Sequence, residues 1–127
     1  MIDASLRSRF ATDGVVHLPG VLDAHGLAEA EAAWRWSLDN PSPLAAPLTP
    51  GSSARQDLCN PLALPTYTPL LTGSPLAKMT AELMDADHVW FMYEQVFHKV
   101  ESGNPRTPWH QDTSYLSAQG ADLLALW

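Results

Sequence analysis

Near one end of the chain, Thr107-Pro108-Trp109-His110-Gln111-Asp112-Thr113-Ser114-Tyr115 sets a His and an Asp two positions apart, with an aromatic residue directly before the His. In extended backbone, side chains repeat every two residues, so His110 and Asp112 are expected on one face. A neutral imidazole nitrogen beside a carboxylate oxygen makes two of the three donors of a 2-His-1-carboxylate facial triad. That arrangement holds non-haem Fe(II) on one side and leaves the opposite positions open for chemistry. His-x-Asp also occurs where both side chains merely hydrogen-bond to nearby backbone, so the flanking residues must decide. His17, His25, His88 and His98 are not at ligand spacing and read as non-catalytic.

The flanking residues run Val89-Trp-Phe-Met-Tyr-Glu-Gln-Val-Phe-His-Lys-Val-Glu-Ser-Gly-Asn-Pro-Arg-Thr-Pro-Trp-His-Gln-Asp-Thr-Ser-Tyr-Leu116, followed by Asp122-Leu-Leu-Ala-Leu-Trp127. This stretch resembles the phytanoyl-CoA dioxygenase family of Fe(II)/2-oxoglutarate oxygenases. Phe10-Ala-Thr-Asp-Gly-Val-Val-His-Leu-Pro-Gly-Val-Leu22 is similar to the opening of the same family. The likeness is specific around Trp109-His110-Gln111-Asp112 and looser between residues 40 and 75.

The resemblance implies that His110 and Asp112 are the first two iron ligands. It also implies 2-oxoglutarate as cosubstrate, O2 as oxidant, and hydroxylation of a small molecule with release of succinate and CO2. Gln95 and Lys99 match positions that contact 2-oxoglutarate in the family. Both lie with Phe97 on one face of a strand by their period of two. Trp127 matches a Trp that packs at the cosubstrate, and Tyr115 a position that often faces the pocket. Thr107, flanking the His, is grouped with these cosubstrate contacts. Trp109 alternates away from His110 and is expected in the core. The family carries a second His and a carboxylate-binding Arg further downstream. The sequence ends at Trp127 before either, so the expectation is the N-terminal part of one such domain, spanning residues 1–127 and inactive alone.

A length of 127 residues suits one domain, and 46% hydrophobic residues suit a packed core. The net charge of -7 argues against nucleic-acid or anionic-membrane partners, which need a basic surface. No apolar run is long enough to span a bilayer, and Met1-Ile-Asp-Ala-Ser-Leu-Arg7 has no signal-peptide core. A single cysteine, Cys59, permits no intrachain disulfide and lies without a matched His. A cytoplasmic location is expected. No basic cluster for a CoA phosphate stands out, which argues against an acyl-CoA substrate.

Ile2, Leu6 and Phe10 predict a first helix, with Asp3 or Ser5 as cap and Gly14 as stop. Val15 to Leu18 reads as a short strand ended by Pro19-Gly20. Asp23 caps a second helix whose apolar stripe is Leu27, Ala30, Trp34 and Leu38, and Asn40-Pro41 ends it. Residues 41 to 65 are proline-rich and aperiodic and read as a loop. Arg55 within it could meet an acidic substrate group, although a solvated Arg is the simpler reading. Ser74-Pro75 begins a third helix through Leu76, Met79 and Leu83, ending near Asp85. Val89 to Val100, Trp109 to Thr113 and Leu123 to Trp127 read as strands. The fold class is α+β: N-terminal helices, then the first strands of the family's double-stranded β-helix, a cupin-like jelly roll cut short. The alternative is a non-catalytic interaction module of the same fold. A third option has another chain supply the missing strands. An open sheet edge also invites self-association.

Overall fold

Residues 2–99, 106–110, 112, 120 and 122–127 are described by a computed structural model of the chain. Among them the chain forms α1 (Ala4–Asp13), α2 (Ala24–Asp39), β1 (Ala46–Pro47), β2 (Arg55–Leu58), α3 (Leu64–Gly73), α4 (Leu76–Met84) and β3 (Gln95–His98). The strands form one antiparallel sheet in the order β1-β2-β3. The class is therefore α+β. None of the described helices is long and apolar enough to cross a membrane.

The termini of α1 and α2 follow the sequence signals. Asp3 caps α1 by accepting from the Leu6 N–H at 2.8 Å, and Gly14 closes it at φ 71°. Only a residue without Cβ adopts that left-handed geometry freely. Asp23 caps α2 by accepting from the Gly26 N–H at 2.8 Å. α4 starts one residue later than the Ser74-Pro75 signal: Pro75 is its N-cap with no side-chain cap bond, and Ser74 Oγ accepts from the Leu76 N–H at 3.3 Å. Glu82 on α4 accepts from the Ile2 N–H at 2.9 Å, and Arg7 pairs with Asp85 at 3.0 Å. These two contacts fasten α1 to α4. The Ile2 N–H holds the Glu82 carboxyl below its usual range.

Several elements differ from the sequence reading. The buried face of α2 is Gly26, Ala33 and Ser37, one position off the expected stripe, and Leu27 is 58% exposed. Small residues face α3 because the helices approach closely there, with Ser37 Oγ 3.3 Å from the Tyr67 hydroxyl. The loop at 41–65 contains β1 and β2 and the start of α3, a helix that the sequence did not announce. Pro65 occupies its first turn, where no N–H is needed, and Pro69 sits inside it. Val15–Leu18 forms no strand.

The long strand expected at 89–100 reduces to β3. A strand extends only as far as its partner, and β2 ends at Leu58, just before Cys59, whose φ of 54° turns the chain away. One further rung survives, from the Cys59 N–H to the Glu94 carbonyl at 3.2 Å. The strand expected from Trp109 is not formed at 109–110, and 122–127 forms none either. The remainder of the 109–113 segment lies outside the described residues apart from Asp112.

Asp57 anchors the sheet. It is buried, and its carboxylate accepts from the Ser42 N–H at 2.8 Å, the Ser42 hydroxyl and the Leu58 N–H at 2.9 Å. Hydrogen bonds to a buried charge contribute more than neutral ones, so Asp57→Ala is expected to cost about 3 kcal/mol. Denaturant unfolding compared with the exposed control Asp39→Ala checks this. An equal midpoint for the two variants would contradict the anchor role.

The described core is thin: Ala33, Ala54, Ala63, Leu70, Leu83 and Val96. Trp90 is 90% exposed, and Phe91 and Met92 beside it are also open. Each large apolar side chain left in water forgoes about 1.5–3 kcal/mol, against a typical total of about 5–15 kcal/mol. The isolated chain is expected to bind a hydrophobic dye and to melt with low cooperativity. A sharp monomeric melt without dye binding would contradict this.

Candidate functional site

The two faces of β3 lead to different places. Val96 is buried, and His98 on the same face lies 5.8 Å from the Trp34 ring on α2. The alternate residues Gln95, Phe97 and Lys99 share the other face. There the Phe97 ring lies parallel to Trp127, 5.9 Å between centroids and 7° between planes. Lys99 Nζ donates to Thr107 Oγ1 at 2.9 Å. The chain on either side of His110 is thus drawn to one face of the sheet. His98 sits on the opposite face, as its position in the strand predicts. Arg55, opposite His98 in the register, also lies away from the site.

Beside this face is a cleft of about 480 Å³, lined by Val15, Arg106, Thr107, Pro108, Trp109, His110, Asp112 and Trp127. The size falls in the range of small-molecule sites, about 300–1,000 Å³. His110 Nδ1 lies 2.8 Å from the Pro108 carbonyl. A carbonyl oxygen only accepts, so Nδ1 carries the proton. In the neutral ring Nε2 then presents its lone pair, and Asp112 Oδ1 stands 3.2 Å from it. Two lone pairs at this range need a cation between them, either a proton or a metal ion.

The spacing fits an ordinary proton-bridged His–Asp contact and equally two ligands of one metal ion. Two bonds of about 2.1 Å meeting near a right angle put their donor atoms about 3 Å apart. Anchoring of Nδ1 by a backbone carbonyl is the usual way a ligating His is held in the correct tautomer. His110 and Asp112 could therefore act as neighbouring ligands. Among the described residues no group of three His, Cys, Asp or Glu side chains could hold a metal ion.

Of the expected cosubstrate contacts, Thr107 and Trp127 line the cleft and Lys99 reaches it through Thr107. Gln95 shares the face of Phe97 but is exposed, so its amide needs no protein partner. Tyr115 lies outside the described residues. Trp109, expected in the core, is 96% exposed and forms part of the cleft wall. The strand alternation that would have turned it inward is absent at 109–110.

Sequence reasoning missed Arg106, Val15 and Tyr93. Tyr93 has the parity of Gln95 and Phe97, which was a usable signal. Partial burial pushes its phenol up, and the charge of Asp112 adds to this, so Tyr93 lies within electrostatic reach of the pair. Arg106 and Val15 reach the cleft by tertiary folding and carry no local signature. Cys59 is exposed, and partial burial of its sulfur with Glu94 and Asp57 nearby pushes the thiol up. A thiol so disposed is a poor nucleophile. No family model, curated protein or solved structure matches the chain.

His110 and Asp112 are half-exposed, and neither supports the core. Cobalt(II) titration followed by visible absorption is expected to show binding that His110→Ala and Asp112→Ala each abolish. Both variants should keep wild-type stability within about 0.5 kcal/mol, as surface substitutions usually do. Binding that survives Asp112→Ala would remove the pair as a metal site.

Proposed function

We propose that this chain contributes the first two metal donors of an Fe(II)/2-oxoglutarate-dependent hydroxylase resembling the phytanoyl-CoA dioxygenase family. The observation that carries the reading is the His110–Asp112 pair: donor atoms 3.2 Å apart, with Nδ1 fixed on the Pro108 carbonyl. In this reading the small antiparallel sheet belongs to a jelly roll, and a third donor comes from outside the described residues.

Each residue then has a defined task. His110 Nε2 and Asp112 Oδ1 hold the metal. Lys99 and Thr107, joined at 2.9 Å, offer a charge and a hydroxyl to a carboxylate of 2-oxoglutarate. Trp127 walls the cleft, and Gln95 and Tyr115 are further candidate contacts. Fe(II), when bound with 2-oxoglutarate and O2, supplies the oxidation that hydroxylates a C–H bond and releases succinate and CO2. The protein's share is positioning and exclusion of water.

A second reading, a non-catalytic interaction module, is favoured by the open run Trp90, Phe91 and Met92. The two readings differ in a succinate assay with Fe(II), ascorbate, 2-oxoglutarate and O2. With two donors, the chain by itself is expected to release no succinate at an enzymatic rate. Added imidazole, standing in for the third donor, is expected to raise succinate release in the wild type and not in His110→Ala or Asp112→Ala. Imidazole without effect on the wild type, or equal release from Asp112→Ala, would count against the hydroxylase and for the module.

A further inference from the structure

The chain has seven Lys and Arg residues against fourteen Asp and Glu. One of those seven cations lines the cleft, and a second is bonded to a residue of its wall. Lys99 is tied to Thr107 in its wall, and Arg106 lines it directly. Arg7 and Arg35 are paired with Asp85 and Glu31. Arg106 has no carboxylate partner among the described residues, although Asp112 lines the same cleft and lies against His110. The same cleft is lined by two indoles, Trp109 and Trp127, each 96% exposed, and by Val15 and Pro108.

We propose that Arg106 is the recognition residue for an organic carboxylate whose apolar body lies against Trp109 and Trp127. A guanidinium presents a planar fork that matches a carboxylate bidentately, which an ammonium does not. Exposed indoles bind apolar surface at little cost in side-chain freedom. One fork beside an apolar wall suits a monocarboxylate of medium size, and a chain of phosphates would demand several cations. Asp112 disfavours an anion beside it, so the carboxylate pairs with Arg106 and the apolar body lies along the indoles. That this ligand is a substrate rests on the hydroxylase reading above. The carboxylate site itself does not.

The test is an NMR titration of the full chain with hexanoate and with hexanamide, its uncharged isostere. The indole N–H signals of Trp109 and Trp127 are assigned with Trp109→Phe and Trp127→Phe. Hexanoate is expected to shift both signals and to bind at least tenfold more tightly than hexanamide. Arg106→Gln should bring hexanoate down to the level of hexanamide, and Lys99→Met should have a smaller effect. Equal binding of the two ligands, hexanoate binding unchanged by Arg106→Gln, or indole signals that never move would each overturn the proposal. Cobalt(II) titration of the wild-type chain alongside hexanoate separates the two readings. A wild-type chain that binds hexanoate through Arg106 but no metal would sink the hydroxylase and keep the carboxylate site.

Discussion

The buried carboxylate of Asp57 is the constraint on which the rest depends. It ties Ser42, in the chain leaving α2, to β2 through both the backbone N–H and the hydroxyl of that serine. Without this link a proline-rich segment has little reason to run alongside β3, since its apolar residues follow no period of two. With it, Arg55 to Leu58 is held as a strand and β3 gains its partner. Asn60 continues the clamp, donating to the Asn40 carbonyl at 2.8 Å and accepting from the Leu62 N–H at 3.1 Å. A polar cluster of this kind fixes a unique arrangement where apolar packing alone would allow several. The buried hydrophobic core among the described residues is half alanine, which gives that cluster more weight than it would carry in a larger core.

Once β3 is paired, its alternation sorts the neighbouring chain. Val96 and His98 turn toward the helices, where Trp34 meets His98. Phe97 and Lys99 turn the other way and each captures a distant residue, Trp127 and Thr107. Those captures bring the His110 segment over the sheet. A stacked aromatic pair contributes about 0.5–1.5 kcal/mol beyond its buried area, and an exposed Lys contact less than about 1 kcal/mol. The site is thus placed by two modest contacts, and its internal geometry by a third, the Nδ1 bond of His110 to the Pro108 carbonyl.

The parts of this arrangement legible in the sequence were those set by local chemistry. Asp3, Gly14 and Asp23 announce helix ends because a cap bonds within its own turn. The parity of Gln95, Phe97 and Lys99 is a property of any extended chain, so their common face was readable before any partner was known. The His-x-Asp pair was readable for the same reason, although its residues meet without forming the expected strand. What stayed hidden depended on tertiary contacts or on broken local rules. Pro69 inside α3 disguised a helix. Arg-Gln-Asp-Leu in β2 carries no apolar alternation, because its one buried residue is the acidic Asp57. The strand predicted from the aromatic run at Val89 stops where Cys59 turns its partner aside, and no local window shows that. Arg106 and Val15 reach the cleft from positions with no pattern at all.

The described residues around His110 are open to solvent. Electrostatic interactions weaken in water, where the effective dielectric is high, and a reacting site gains by excluding it. His110 and Asp112 are half-open to solvent. Around them Trp109, Leu123, Leu126 and Trp127 are also open. Burying one indole of roughly 200 Å² is worth about 5 kcal/mol, on the scale of the whole stability of a small domain. Any surface that closed over the cleft would therefore gain its binding energy from these side chains and exclude water from the His110–Asp112 pair in the same step. The residues that limit the stability of the chain and those that limit its chemistry lie side by side, and one covering element would serve both.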